Sequence, residues 1–306
     1  MKVSRMRLNI VLLTYNEELH IGRCIHALLP LGANILIVDS FSEDSTVALS
    51  NSLGARVLQR PWKNYADQFQ WGLDQVAGQA GWVMRMDADE YLEPDLRQEI
   101  QRILPALPED IVGVYIKRKV FFQGQWIRHG GFYPQTLLRI WRTGQGRIEQ
   151  RWMDEHIVLP PNAKTVTLEH HIVDDNLKGI TFWTDKHNRY ATREMADILI
   201  QKYFPELGDH ALRDMSADPQ ARLKRRIKDE VYNKLPPGLR ALLYFLYRYF
   251  VLFGFLDGAK GFVYHFLQAF WYRLLVDIKV MEVEKKSQGD PEKMRKILFT
   301  EFGIDL

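Results

Sequence analysis

Cysteine is almost missing: Cys24 is the only one in 306 residues. That excludes an intramolecular disulfide and fits a reducing compartment. Its helical spacing with Ile21, Ile25 and Leu28 reads as a buried thiol rather than a nucleophile. Charge of one sign is scarce as well. Forty-one basic residues against 38 acidic ones leave a net +3, too small an excess to imply a nucleic-acid partner. No uninterrupted apolar run approaches the roughly 20 residues of a membrane-spanning helix. The longest candidate, "ALLYFLYRYFVLFGFL", carries Arg248 in its middle. The opening "MKVSRMRLNIVLLTYNEE" sets basic residues before apolar ones, but the stretch is short and has no small-residue cleavage site. It reads as a first strand, and the chain is expected in the cytoplasm. Internal repeats and low-complexity tracts are also missing. With 46% hydrophobic and 26% charged residues, the composition is that of an ordinary globular enzyme.

What is present has a clear rhythm. "LNIVLLT" (8–14), "NILIVD" (34–39), "ARVLQ" (55–59) and "WVMRMD" (82–87) read as strands, and 17–29, 45–53 and 65–76 have helical spacing. Gly54 suits the end of the second helix. Nearly continuous apolar strands separated by helices imply a largely parallel sheet covered on both faces. Ligands of such sheets bind beyond the carboxyl ends of the strands. Polar residues gather there: Thr14, Tyr15, Asn16 and Glu17 after the first strand, Asp39 and Ser40 after the second, Asp87 and Asp89 after the fourth. Farther on, "VGVYIKRKVFF" and "TLLRIW" read as strands, "HIVLPPNAKTVTLEHHIV" as two more, and 180–202 as a helix. A change of composition near 205 separates this region from a mostly helical remainder, giving domains over 1–205 and 206–306.

"WVMRMDADEYL" raises the sharpest chemical question. Residues two apart in an extended chain point to the same side, so Asp87 and Asp89 can converge at the strand's end. Paired hard oxygens suit Mg²⁺ or Mn²⁺ and leave positions for phosphate oxygens. The plainer reading is that Asp89, Glu90 and Glu93 complement the dipole of the helix opened by Pro94. Arg85 stands inside the same apolar strand, and nothing in the sequence accounts for it.

Taken in order, "TYNEE", "VDSFSEDST" and "DADE" resemble the family 2 glycosyltransferases of the GT-A fold, over about residues 7–200. The later blocks "HGGFYPQTLLRIWR", "MDEH" and "KHNRYATRE" are similar to the bacterial subgroup that builds lipopolysaccharide cores, its β-glucosyltransferases included, and surface polysaccharides. The fold implied is α/β: a mixed, mostly parallel central sheet followed by a helical C-terminal region. The resemblance also implies an inverting, metal-dependent transfer from a nucleotide-sugar, with uridine the base suggested, to a lipid-linked saccharide in lipopolysaccharide or exopolysaccharide synthesis. Two other readings stand beside it: a polyprenyl-phosphate glycosyltransferase, and an inactive transferase-like scaffold at the membrane.

Residue by residue, the resemblance implies that Thr14, Tyr15 and Glu17 line the nucleotide pocket, with Tyr15 beside the base. Asp39 would accept from the uracil N3–H. Asp87 would contact the ribose or the metal, and Asp89 would ligate an Mg²⁺ or Mn²⁺ that neutralises the departing diphosphate. Glu155 would be the base that deprotonates the acceptor, with Asp154 as runner-up; a surface carboxylate pair is the plain alternative. Alternation along "TVTLEHHIV" places His170 with the core and His171 outward, and related enzymes offer a histidine here to the metal or the diphosphate. Lys186, Arg189, Tyr190 and Arg193 line one side of a helix and either hold phosphates or form a solvated face. Arg118, Arg128 and Arg139 raise the same alternatives.

Residues 222–228, "RLKRRIK", hold five basic residues and no acidic one. They precede helices crowded with Tyr, Phe, Trp and Leu, broken at "GFLDG" (254–258), where Asp257 reads as a cap. Such a composition suits a helix lying in the headgroup layer; a helical core or a dimer interface is the alternative. The expectation is peripheral attachment to the cytoplasmic face of the inner membrane through about 222–281.

Overall fold

Residues 7–149, 155–207 and 235–306 are described by the structure, a computed structural model of the chain. They fall into two compact units. Residues 7–128, 132–149 and 155–178 make the first; 129–131, 179–207 and 235–306 make the second. The compositional boundary near 205 falls just beyond the helix that begins the main part of the second unit.

The first unit opens as the apolar rhythm predicts, with β1 (Leu8–Thr14), α1 (Glu18–Leu28), β2 (Asn34–Asp39), α2 (Thr46–Ser52), β3 (Arg56–Gln59), α3 (Tyr65–Asp74) and β4 (Trp82–Asp87). Then come β5 (Glu90–Leu92), α4 (Pro94–Ile103), β6 (Ile111–Phe122), β7 (Gln125–Ile127), β8 (Gln135–Arg142), the short β9 (Arg147–Ile148) and β10 (Ile157–Val158), and β11 (Lys164–Asp175). Among the described residues nine strands form the main sheet, in the order β3-β2-β1-β4-β8-β6-β11-β5 with β7 on β6. The first four run parallel. β8 is antiparallel to both its neighbours, and β11 returns parallel to β6. The α/β sandwich with a mixed, mostly parallel sheet is the architecture expected.

Apolar residues are continuous along these strands because both faces are covered. Ile10, Leu12, Met84 and Met86 pack with Ile21, Cys24, Leu96 and Ile100 of α1 and α4. Val11, Leu36 and Val83 pack on the other face with Phe69 and Leu73 of α3 and with Trp141. α3 lies close to the sheet at Gly72, where an added Cβ would stand 2.9 Å from Val11 Cγ1. Cys24 is the buried thiol foreseen, and burial, then the Glu90 charge, pushes its pKa well up. Gly54 adopts φ +83° just past α2, which a side chain would resist.

In the second unit α5 (Ile180–Tyr203) packs through Met195, Leu199 and Ile200 on α8 (Tyr272–Ser287) and α9 (Pro291–Phe302), which contribute Val283, Met294 and Leu298. Between α5 and α8 in sequence lie α6 (Leu239–Leu246) and α7 (Gly258–His265), each continued by a wider, π-type turn. "GFLDG" does break these helices, as a 3₁₀ turn over Gly254–Asp257. Asp257 is not the cap its position suggested. Its buried carboxylate accepts instead from the backbone N–H of His129 at 2.9 Å and pairs with His129 Nδ1 at 2.7 Å. Gly130 fits here only without a side chain, because an added Cβ would lie 2.0 Å from His265 Cε1. Arg248 Nε donates to its carbonyl at 2.6 Å.

Much of α6, α7 and the turn joining them is apolar and exposed: Leu246, Phe250, Val251, Phe253, Leu256 and Phe262 among others. No single helix among the described residues is long and apolar enough to cross a membrane. Leu239–Val251 and Gly254–Ser287, bent by 73°, have that length and composition only as a pair. The basic stretch 222–228 lies outside the described residues.

Candidate active site

Parallel pairing of β2, β1 and β4 brings their carboxyl ends to one rim of the first unit. The loops after β1 and β2 interlock there. Asn16 takes φ +54°, a conformation asparagine tolerates better than most residues. From it, the Asn16 N–H donates to Ser42 Oγ (2.8 Å) and the Glu17 N–H to Thr46 Oγ1 (2.7 Å), while the Glu43 N–H donates to Asn16 Oδ1 (2.8 Å). Tyr15 is left 55% exposed on this rim, available to a ring or a base. Asp39 is fully buried. Its two oxygens accept from Thr14 Oγ1 (2.8 Å), the Ser42 N–H (2.9 Å), Ser42 Oγ (2.5 Å) and Gln59 Nε2 (2.9 Å). An ionised carboxylate has about four lone-pair sites, so a uracil N3–H would have to replace one of these donors.

Glu17 belongs to a second network that sequence reasoning did not reach. His20 is buried beneath it, with Nδ1 2.6 Å from Glu17 Oε2. The Leu177 N–H donates to His20 Nε2 at 2.8 Å. An amide nitrogen can only donate, so Nε2 accepts and the proton sits on Nδ1, facing the carboxylate. Lys178 Nζ meets Glu17 Oε1 at 3.0 Å and the Asn16 carbonyl at 2.7 Å. Asn176 Nδ2 donates to Asp89 Oδ2 at 2.9 Å, and Arg23 pairs with Asp175 at 2.7 Å. The run Asp175–Lys178 after β11 is thereby fastened to α1 and to the acidic block.

Asp87 and Asp89 differ in their surroundings. Tyr65 donates to Asp87 Oδ1 at 3.1 Å, Arg139 Nη2 stands 3.4 Å from Oδ2, and Arg85 Nε is 4.0 Å away. Burial alone would raise the Asp87 carboxyl, but Arg139 and Arg85, helped by the Tyr65 hydroxyl, outweigh it and hold it well below the usual carboxylate range. Arg139 is only 3% exposed and also binds Glu90, whose Oε2 accepts from the Asp87 N–H at 3.0 Å. Burial pushes Glu90 upward against that guanidinium. Arg139 is thus the buried counter-ion of the acidic block rather than a residue of a solvated face.

Asp87 and Asp89 supply hard oxygen donors. Among the described residues no three His, Cys, Asp or Glu side chains stand together to hold an ion, so Asp87, Asp89 and His171 are not assembled as a trio here. Mg²⁺ commonly uses one or two carboxylates and takes its other ligands from water and substrate phosphates. The donor set fits such an ion. Asp89 is the better-suited ligand, since Asp87 already faces two guanidiniums.

The two histidines of β11 depart from strict alternation. The pairing of β11 with β6 shifts register between Thr167 and His171. As a result His170 is the more exposed side chain (40%), bonded to the buried Glu99 at 2.8 Å, and His171 the less exposed (18%). His171 Nε2 lies 2.6 Å from the Tyr133 hydroxyl. Burial, then Lys119 nearby, lowers its pKa. Glu155, half-buried, precedes β10, and its carbonyl accepts from Arg85 Nη1 at 3.0 Å. Asp154 lies outside the described residues. Next to Glu155, His156 Nδ1 is 3.5 Å from the buried Glu149. Arg118 pairs with Asp174 at 3.2 Å, and Arg128 stands over the Trp126 ring at 5.4 Å. Lys186 belongs to the second unit, on α5, with Nζ 5.7 Å from the centre of the Tyr190 ring.

The model of the family described as Glycosyl transferase family 2 matches residues 9–166, a span that contains every one of these strand ends but β11's. The chain belongs to that family. It is 28% identical over 291 residues to the lipopolysaccharide core biosynthesis glycosyltransferase LpsC of Rhizobium meliloti, covering 87% of this chain and 92% of that one. Among solved structures, glucosyl-3-phosphoglycerate synthase from Mycobacterium tuberculosis, in complex with Mn²⁺, uridine diphosphate and glucosyl-3-phosphoglycerate, is 24% identical. That match spans 39% of this chain and 45% of that one, with TM-score 0.29. The mannosyltransferase PcManGT from Pyrobaculum calidifontis, with GDP-mannose and Mn²⁺, is 13% identical over 91% of this chain and 88% of its own, with TM-score 0.45. This family 2 glycosyltransferase is therefore related in sequence to an enzyme of lipopolysaccharide core biosynthesis.

Proposed function

We propose that this transferase moves a sugar, with inversion, from a uridine-diphosphate donor to a lipid-linked saccharide in lipopolysaccharide synthesis. One observation carries the reading: Asp87 ends the strand next to the one that ends in Thr14 and Asp89 stands in the turn just after it, so an acidic pair borders a rim suited to a nucleotide. A divalent cation held by Asp89, with Asp87 beside it, would neutralise charge on the departing diphosphate. Tyr15 offers its exposed ring to the base. Glu155 takes the proton from the acceptor hydroxyl as that oxygen attacks the anomeric carbon from the face opposite the leaving group. Kinship with LpsC supports the acceptor class.

The exposed aromatic and aliphatic residues of α6 and α7 support a second element of the proposal, attachment to the cytoplasmic face of the inner membrane through about 222–281. The basic stretch 222–228 would add roughly 1 kcal/mol per residue on an anionic leaflet.

A thermal-shift screen of nucleotide sugars with and without Mn²⁺ tests the donor. Stabilisation by a uridine-diphosphate sugar that requires the metal is expected. Equal stabilisation by metal-free donor, or none by any uridine-diphosphate sugar, would remove the reading.

A further inference from the structure

Arg85 is the charged residue that sequence reasoning could not place. It lies in β4, between Met84 and Met86, both fully buried, in a strand paired on both sides. Alternation puts it on the face shared with Val83 and Asp87, under α3. Its guanidinium lies 4.6 Å from the centre of the Tyr65 ring and 5.5 Å from that of Phe69. The Arg85 side chain is 17% exposed, and a methionine or leucine would pack on the same rings without the cost of desolvating a charge, so packing does not explain an arginine.

Its polar contacts do. Nη1 donates to the Glu155 carbonyl at 3.0 Å, across 70 positions of sequence. Nε stands 4.0 Å from Asp87 Oδ1, and Tyr65, over which the guanidinium stacks, donates to that same oxygen at 3.1 Å. The contact to Glu155 is to its main-chain carbonyl, so it fixes the path of the chain at that residue. A planar, forked cation clamped against an aromatic ring holds a carbonyl in a fixed direction better than a flexible ammonium does.

We propose that Arg85 is a positioning residue for the transfer reaction: it anchors the main chain of Glu155 to the Asp87 end of β4 and so sets where the Glu155 carboxylate stands. The inference rests on Glu155 being the base. Arg85 acts through the segment that carries the base. Misplacing a catalytic group by about 1 Å can cost on the order of 100-fold in rate.

The test uses the full chain with Arg85→Met, which keeps the apolar contacts, and Arg85→Lys, which restores a donor. Two readouts are followed: amide hydrogen exchange of the peptide over 155–158, and turnover of UDP-glucose with Mn²⁺. Uridine diphosphate affinity is measured alongside by thermal shift. In Arg85→Met, exchange of that peptide should rise while β1 stays protected. The turnover number should fall roughly 10- to 100-fold with uridine diphosphate affinity within about twofold of the parent, and Arg85→Lys should recover part of the rate. Unchanged exchange in Arg85→Met overturns the proposal. So does a loss confined to uridine diphosphate affinity, which would make Arg85 a donor-site residue. If Arg85→Met does not fold, Arg85→Lys decides by the same two readouts. Glu155→Gln separates the two claims: normal turnover there removes the base, while the exchange result still decides whether Arg85 holds the segment.

Discussion

Asn176 donates its side-chain amide to Asp89 Oδ2 at 2.9 Å, so a loop following β11 orients the carboxylate proposed to carry the metal. Groups that orient a ligand are typically worth 10- to 100-fold in metal affinity or activity. Asp89→Ala is expected to abolish metal-dependent donor stabilisation. Asn176→Ala should keep it but require about tenfold more Mn²⁺. A metal titration followed by thermal shift reads both.

Glu155→Gln should retain donor binding and lose transfer by about 100-fold or more, as removal of a general base does. Product formation at saturating donor is the measurement. Transfer near the parent rate would turn attention to His156, 3.5 Å from the buried Glu149.

Arg139→Met would leave Glu90 and Asp87 without their shared buried cation. Breaking a buried ion pair on one side costs about 3–5 kcal/mol, and chemical denaturation of the two proteins should differ by that order. Removing Glu90 as well, in Arg139→Met with Glu90→Gln, should recover part of the loss, because the uncompensated buried acid is then gone.

These charged clusters mark where the sequence was legible and where it was not. β1 to β4 and their helices follow from local apolar spacing, as does the rim at Thr14, Asp39, Asp87 and Asp89. The insertion of β8 between β4 and β6 does not, since it depends on pairing between distant segments. Arg85 and Arg139 were visible as charges in apolar strands, but their partners, Glu155 and Glu90, lie 70 and 49 positions away in sequence. Asn176 and Lys178 belong to a polar run directly after a strand, the one local sign that they serve the rim. The facing of His170 and His171 failed because strict alternation assumes an unbroken ladder, and the register shifts just before them.

His187 gives a pH prediction. It stacks on Trp183 at 3.5 Å, and its Nδ1 meets the Trp183 carbonyl at 2.8 Å. Burial lowers its pKa from 6.5 to about 4. Unfolding restores the ordinary value, so the unfolded chain binds more protons between those limits. Stability is full above pH 6.5, is lost as pH falls toward 4, and is flat below, with about 3 kcal/mol at stake. His265, lowered to about 4 by burial, acts with the same sign. His187→Phe should flatten the fall of the unfolding midpoint between pH 6.5 and 4.5.

Membrane attachment predicts that vesicles containing anionic lipid will carry the protein in flotation. Phe250→Ser with Phe253→Ser, at side chains 56% and 57% exposed, should reduce the bound fraction several-fold while donor stabilisation stays. Equal flotation would place the contact elsewhere.

Residues 129–131, between β7 and β8, are counted with the C-terminal helices, where His129 meets Asp257 and Gly130 lies against His265. A cut at 178 or 205 therefore separates neither half intact. The amino-terminal fragment would keep His129 and Gly130 with nothing to grip, and the carboxyl-terminal fragment would carry Asp257 and His265 around a hole three residues long. Expressed apart, the pieces should behave worse than their summed parts; mixed, they have a defined seam along which to find each other.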